Sequence, residues 1–332
     1  MVNRLKTGEM QHSTEVTRTT QAELKAPPFA VPTWIRPVIC ARSDGGVPLA
    51  GGWARFCQFD MVTRDTADHY QITRLSEEDV IKLSYDRNKA TAYIEQLHCS
   101  RAQFAGLDMS KPHIMGIINT TPDSFSDGGM NLSVATAITS GMAMWKAGAS
   151  IIDIGGESTR PGAQTITRNQ ELARVLPAIT GLAQRNIRIS IDTRHGEVMT
   201  RACDCGARII NDVEALQRDG ALDAARASGL PVVLMHMKGQ PENMQDSPQY
   251  NFAPVEIYEF LQDRIQTLIQ AGISKSNIAI DPGFGFGKTH VHNLQVVKWL
   301  SLFHGLGVPI LFGASRKSTI AKISQGESAD QR

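Results

Sequence analysis

Ser150-Ile-Ile-Asp-Ile154-Gly-Gly-Glu-Ser-Thr-Arg-Pro-Gly162 starts as a β-branched apolar run of strand length and turns abruptly polar and glycine-rich. The same break recurs along the chain. Strand-like runs at His113-Ile-Met-Gly-Ile-Ile118, Arg188-Ile-Ser-Ile-Asp192, Arg208-Ile-Ile-Asn-Asp212, Pro231-Val-Val-Leu-Met235, Asn277-Ile-Ala-Ile-Asp281 and Val308-Pro-Ile-Leu-Phe312 bring the number of candidates to seven. Stretches with apolar spacing of three and four lie between them, at Val134 to Ala147, Leu172 to Ala183, Ile257 to Ile269 and Val291 to Phe303. Short β-branched runs alternating with helices mark βα units and a parallel sheet. Seven units at this spacing predict an α/β fold of the TIM (β/α)8 type that has lost its last unit, rather than a doubly wound sheet. In such a barrel the polar groups after each strand converge on one rim, where barrel enzymes place their chemistry. Turn polarity explains one or two such groups, but not Asp192, Asn211 and Asp281 at or beside three strand ends.

The composition sets the outer limits. With 332 residues, 42% apolar and 20% charged, the chain is globular, and 34 Lys+Arg against 33 Asp+Glu leave no basic excess for nucleic acid or anionic lipid. Small-molecule partners are expected. Five scattered cysteines (Cys40, Cys57, Cys99, Cys203 and Cys205) read as reduced thiols of a cytoplasmic protein. Cys203 and Cys205 stand two apart in a helical pattern and point away from each other, which argues against a metal site there. No run has the length of a membrane span, and Met1 to Lys25 lacks the apolar core of a secretory signal.

Residues 1–30 are too poor in large apolar residues to offset ordering entropy and are expected to be a flexible tail. Residues 31–103 form an N-terminal extension of unknown role, with short apolar runs and a helix-like stretch from Glu77 to Leu97. It is either a small appended module or an elaboration of the barrel's bottom face. The barrel is expected over 104–332, C-terminally incomplete.

Seven rim motifs, in order, carry a resemblance: Asn119-Thr-Thr-Pro-Asp-Ser-Phe-Ser-Asp-Gly-Gly129, Gly156-Glu-Ser-Thr-Arg-Pro-Gly162, Ser190-Ile-Asp-Thr193, Ile210-Asn-Asp212, Leu234-Met-His-Met237, Asp281-Pro-Gly-Phe-Gly-Phe-Gly-Lys288 and Ser315-Arg-Lys-Ser318. Over about residues 104 to 325 the chain resembles dihydropteroate synthase, the folate-pathway enzyme family that joins a 6-hydroxymethyl-7,8-dihydropterin pyrophosphate to p-aminobenzoate. A pterin edge asks for a carboxylate facing its N–H pair and for an amide or ammonium facing its carbonyl and ring nitrogens. Asp281, Asn211, Asp192 and Lys317 supply that set, and the resemblance implies that they bind the pterin, with Met235 and Phe286 among the substrate contacts. It also implies Mg2+ at Asn119 beside the pyrophosphate, and a mobile loop carrying Thr159 and Arg160. Pro161, Phe125 and Ser318 then fall near p-aminobenzoate. Asp192, Arg160 and Lys317 are the implied catalytic set, Asp192 stabilising positive charge on the pterin methylene. A homodimer and a sulfonamide target are implied in the same way.

Blander roles compete at each position. Asp281 and Asn211 could cap the helices that follow, Arg160 and Lys317 could be solvated loop charges, Asp153 and Glu157 could be polar residues inside the barrel mouth, and His236 reads as a satisfied rim histidine. Gly283-Phe-Gly-Phe-Gly-Lys-Thr289 is not a nucleotide phosphate loop, because Pro282 stands where that motif needs Gly. The chain departs from the resembled family by lacking an eighth strand with its Arg-x-His pair, so a non-catalytic pterin-binding protein or an inactive fragment is the alternative. A pterin-dependent methyltransferase would share the Asp and Asn ligands, but has no use for Ser158-Thr-Arg-Pro-Gly162 or Ser315-Arg-Lys317.

Overall fold

The computed structural model describes residues 16–19, 33–84, 86–120, 129–158, 165–241, 243–324 and 326–328. Most of the tail expected over 1–30 lies outside them, although Val16–Thr19 forms a strand, β1. It pairs in parallel with β5 of an otherwise antiparallel sheet built from β2 (Thr33–Cys40), β3 (Val47–Pro48), β4 (Arg55–Arg64) and β5 (Tyr70–Leu75), in the order β1-β5-β4-β2 with β3 also on β4. Strand alternation splits the residues of β4 between two cores. Phe59 and Met61 face Leu75 and the helices α1 (Glu77–Leu83) and α2 (Arg87–His98), through Val80, Ile94 and Leu97. Val62 joins Trp34, Tyr70 and Ile72 in the barrel's own core. The helix-like stretch from Glu77 to Leu97 is thus two helices. Ser84 ends the first, and the Asp86 carboxylate accepts from Lys89 N at 3.0 Å to start the second.

The barrel strands are β6 (Met115–Asn119), β7 (Ile151–Gly155), β8 (Ile189–Asp192), β9 (Ile209–Asp212), β10 (Val232–Met235) and β11 (Ile278–Asp281), all parallel and in sequence order. Helices follow them: α3 (Gly129–Lys146), α4 (Arg168–Ala183), α5 (Gly196–Asp204), α6 (Ala221–Ser228), α7 (Ala253–Gln270), α8 (His290–Lys298) and α9 (Ser318–Ile323). The helix expected to run on to Phe303 stops at Lys298 and continues as a 3-10 helix over Leu300–Leu306. The seventh strand candidate, 308–312, makes only a bridge between Ile310 and Ile280, with hydrogen bonds Ile280 N to Pro309 O at 3.0 Å and Leu311 N to Ile280 O at 2.7 Å. Pro309 has no N–H to extend the ladder, and this is why the expected strand shrinks. Among the described residues no strand pairs with the outer edge of β6, and the side chain of Ile117 is 61% exposed there. Cys203 lies in α5 and Cys205 caps it; all five cysteines are free thiols.

The two sheets meet through charge as well as apolar surface. Buried Asp60 accepts from Arg36 Nη2 at 2.6 Å and also from Arg74, while Arg36 Nη1 donates to Lys298 O at 2.9 Å and its guanidinium lies 4.2 Å over the Trp299 ring. Arg64 pairs with Glu259 of α7 at 3.0 Å, and Ser301 Oγ donates to Pro37 O at 2.7 Å. The extension is therefore seated on α7 and the chain from 298 to 306. Asp60→Ala strands the buried Arg36 cation, and we expect a loss of about 3 kcal/mol in urea unfolding. A loss under about 1 kcal/mol would show that water already solvates the pair.

Candidate active site

Each barrel strand turns every second residue inward. Ile151, Ile209, Val233 and Ala279 form the lower inward layer with Phe104 beneath them, and the positions two residues further on are Asp153, Asn211, Met235 and Asp281. An apolar floor and a polar mouth thus come from one alternation. The register then lines up the rim: Asn119 pairs with Gly155, Gly155 with Asp192, and Asp192 with Asn211, while Met235 pairs with Asp281. Gly155 leaves the centre of this row open. A Cβ there would lie 3.4 Å from Asp192 Oδ2 and 3.5 Å from Asn119 Oδ1, so both oxygens reach toward the same point.

Burial governs the electrostatics. Asn211 Nδ2 donates to Asp153 Oδ2 at 3.1 Å, and the Ser190 hydroxyl lies on the same carboxylate. Burial raises the pKa of Asp153 above the usual carboxylate range. Asp192 keeps some surface open to the mouth but is ringed by protein, and burial followed by the charges of Asp153, Asp212, Glu171 and Glu157 raises its pKa strongly. Asp212 points away from the mouth. Its carboxylate accepts from Glu214 N at 2.8 Å and Leu216 N at 2.9 Å, and burial pushes its pKa to about 6. It shapes the turn after β9.

The loop after β11 is built on one lysine. Lys288, 2% exposed, donates to Gly283 O at 2.8 Å and Phe286 O at 3.0 Å, and lies 3.0 Å from His236 Nδ1. Burial drives its pKa down, and that of His236 with it. Asn293 of α8 accepts from Gly285 N at 2.7 Å and donates to Thr319 Oγ1 at 3.1 Å, tying this loop to α9. Asp281 accepts from Gly283 N at 2.7 Å; burial raises its pKa and the nearby charge of Lys317 opposes the rise. Lys317 donates to Phe284 O, and its ammonium lies 4.6 Å over the Phe286 ring. Ser318, the first residue of α9, is exposed.

The structure brings together Asn119, Asp192 and Asn211 in one row, Met235 and Asp281 in the next, and Lys317 and Phe286 beside Asp281. Asp123, Phe125, Thr159, Arg160 and Pro161 lie outside the described residues. A cavity of about 320 Å³ opens next to the row, with Met235, Met237, Val213 and Phe260 as apolar lining and Glu214 and Arg218 among its polar lining. Sequence reasoning gave no role to the paired polar side chains around the rim, namely Arg194, Glu214, Glu171, His195 and the half-buried Arg218. Arg194 follows Asp192 by two and Glu214 follows Asn211 by three, which was a signal; Glu171 in a helix gave none.

A family model for pterin-binding enzymes matches residues 115–332. The dihydropteroate synthase of Escherichia coli is 48% identical over 223 residues, covering 67% of this chain and 79% of that protein, and the Haemophilus influenzae enzyme is 45% identical, covering 68% and 82%. Among solved structures, Yersinia pestis dihydropteroate synthase with a sulfonamide drug complex is 48% identical with a TM-score of 0.64, covering 68% of this chain and 82% of that one. The Xanthomonas albilineans enzyme in complex with 7,8-dihydropteroate is 41% identical with a TM-score of 0.62, covering 70% and 84%. The chain belongs to the pterin-binding enzyme family, a class of TIM-barrel enzymes. Its relatives there are dihydropteroate synthases, and it is a transferase of that kind. No helix among the described residues is long and apolar enough to cross a membrane.

The glycines of the β11 loop show how tightly this mouth is packed. Gly283 has φ +69° and a Cβ there would stand 1.8 Å from His236 O, whereas Gly272, at φ +93°, has nothing within 4 Å. Gly283→Ala is expected to displace Asp281 and abolish pterin binding by calorimetry. Gly272→Ala should cost only about 1–2 kcal/mol of backbone strain and leave binding intact. Equal effects of the two would contradict this account of the loop.

Proposed function

We propose that this chain condenses 6-hydroxymethyl-7,8-dihydropterin pyrophosphate with p-aminobenzoate, giving 7,8-dihydropteroate and pyrophosphate in folate biosynthesis. The observation that carries the assignment to this mouth is the row Asn119, Gly155, Asp192 and Asn211, capped by Asp281 and Lys317, in a barrel of the pterin-binding family. Asp281 and Asn211 face the pterin N–H groups and carbonyl, Met235 and Phe286 cover the ring faces, and Lys317 donates from its place over Phe286. The Asp153 carboxylate, buried beside Asn211 and Ser190, is a further acceptor in the same mouth. Asp192, in its ionised form, sits where its charge offsets a positive methylene carbon as the C–O bond to pyrophosphate breaks, and the aryl amine of p-aminobenzoate then bonds to that carbon and gives up a proton. The family resemblance assigns Pro161, Phe125 and Ser318 to recognition of p-aminobenzoate. Thr159 and Arg160 act on the leaving group.

Mg2+ belongs to the same proposal. Asn119, whose Oδ1 reaches toward the open point at Gly155 beside Asp192, would be its protein ligand, with substrate phosphates holding the rest of the ion. When bound it would supply neutralising charge at the pyrophosphate. A cytoplasmic location, a homodimer and inhibition by sulfonamides complete the reading.

Asp281→Ala is expected to abolish pterin binding, since removing one side of a buried charged hydrogen-bond pair costs several kcal/mol. Unchanged pterin affinity by calorimetry would refute the assignment of the site. Arg160→Ala should slow turnover, followed as Mg2+-dependent pyrophosphate release, more than it weakens pterin binding. Turnover left intact with a raised pterin Kd would move Arg160 from the leaving group to the pterin. Pterin binding without pyrophosphate release in the unmodified chain would favour a binding protein over a synthase.

A further inference from the structure

Two residues beyond Asp192, the chain enters a buried ion network that the transfer chemistry does not use. Arg194 is 4% exposed and grips Glu157 with two bonds, Nε to Oε2 at 2.8 Å and Nη2 to Oε1 at 3.0 Å. Its Nη1 donates to Glu214 Oε1 at 2.8 Å, and Glu214 Oε2 is held in turn by Arg218 Nε at 2.6 Å. His195 closes the circuit, with Nδ1 2.8 Å from Glu171 Oε2 on α4 and Nε2 3.3 Å from Arg218 Nη1. Glu157 also accepts from Ile166 N at 3.3 Å, so the chain leaving β7 and the chain returning to α4 meet at one carboxylate. One guanidinium therefore touches the turns after β7, β8 and β9.

Stability alone explains this poorly. Burying charges costs desolvation, and well-packed apolar replacements of such networks are often neutral or stabilising. What the network offers is fixed geometry, since a guanidinium fork bound on two sides permits little rotation. It also lies on the C-terminal face of the barrel, where the chemistry sits, not on the bottom face, where residues serve stability. We propose that Arg194 is a positioning residue for the transfer: by holding Glu157 and Glu214 together it fixes three rim turns against one another and so sets the Asp192 carboxylate in the pterin row. The proposal rests on the reading of Asp192 as a pterin ligand.

The test uses the full chain with 6-hydroxymethylpterin as binding probe and the condensation as the kinetic assay. Arg194→Met should weaken pterin binding about tenfold and lower turnover at saturating substrate about tenfold, while Arg194→Lys, which keeps the charge but not the fork that grips Glu157, should recover only the smaller part. Because Arg194→Met leaves two buried carboxylates unpaired and can unfold the rim, the triple variant Arg194→Met/Glu157→Gln/Glu214→Gln removes every one of these charges together. It should melt as the parent does and still bind pterin weakly. Parent-like pterin affinity in that folded triple variant would overturn the proposal, as would equal losses in the Lys and Met variants that merely track a fall in melting temperature. If the parent chain binds pterin but shows no turnover, the synthase reading fails while the pterin Kd values still decide the role of Arg194.

Discussion

A strand in a closed parallel sheet can show its side chains to the barrel interior only at every second residue, and the rest of this site follows from that restriction. On β9, β10 and β11 the lower inward residues are Ile209, Val233 and Ala279, and the next inward residues, Asn211, Met235 and Asp281, are the ones that reach the mouth; on β8 the pair is Ser190 and Asp192. The neighbours Ile191, Ile210 and Ile280 face the helices. The row exists because parallel register is continuous from β6 to β9, and it is open because Gly155 has no side chain to fill it.

That same restriction explains what the sequence disclosed. Abrupt breaks from β-branched residues to Asp, Asn and Gly located six of seven strands within one or two residues, and the order of the rim motifs located the mouth. The 308–312 segment misled because composition speaks for a strand while Pro309 lacks the amide that a ladder requires. The extension stayed opaque for another reason: its sheet has two buried faces, so the alternation in β4 dissolves into Phe-Asp-Met-Val, all four of which are buried. Glu171 was hidden because a charge paired across the fold looks the same in sequence as a charge in water.

The buried charges divide into two kinds of work. Lys288 and Asp212 bind mainly backbone groups and define the shapes of single loops. Arg194 and Arg36 join separate pieces of chain, the first between rim turns and the second between the N-terminal sheet and the end of α8. Lysine and arginine are used accordingly, the compact ammonium inside a nest of carbonyls and the planar fork wherever two partners must be held at a fixed angle.

The seat of the N-terminal sheet also has a meaning in time. Arg36 and the carbonyl of Lys298 are 262 residues apart in sequence, and the face made by Trp34, Val62, Tyr70 and Ile72 has its partners in α7 and the chain that follows it. During synthesis that face leaves the ribosome well before the segment that covers it. At about 5–20 residues per second the interval lasts some tens of seconds, long compared with the microseconds in which apolar surface collapses. The nascent chain must carry an uncovered aromatic surface throughout, and a chaperone that holds such surfaces has its longest opportunity at these strands.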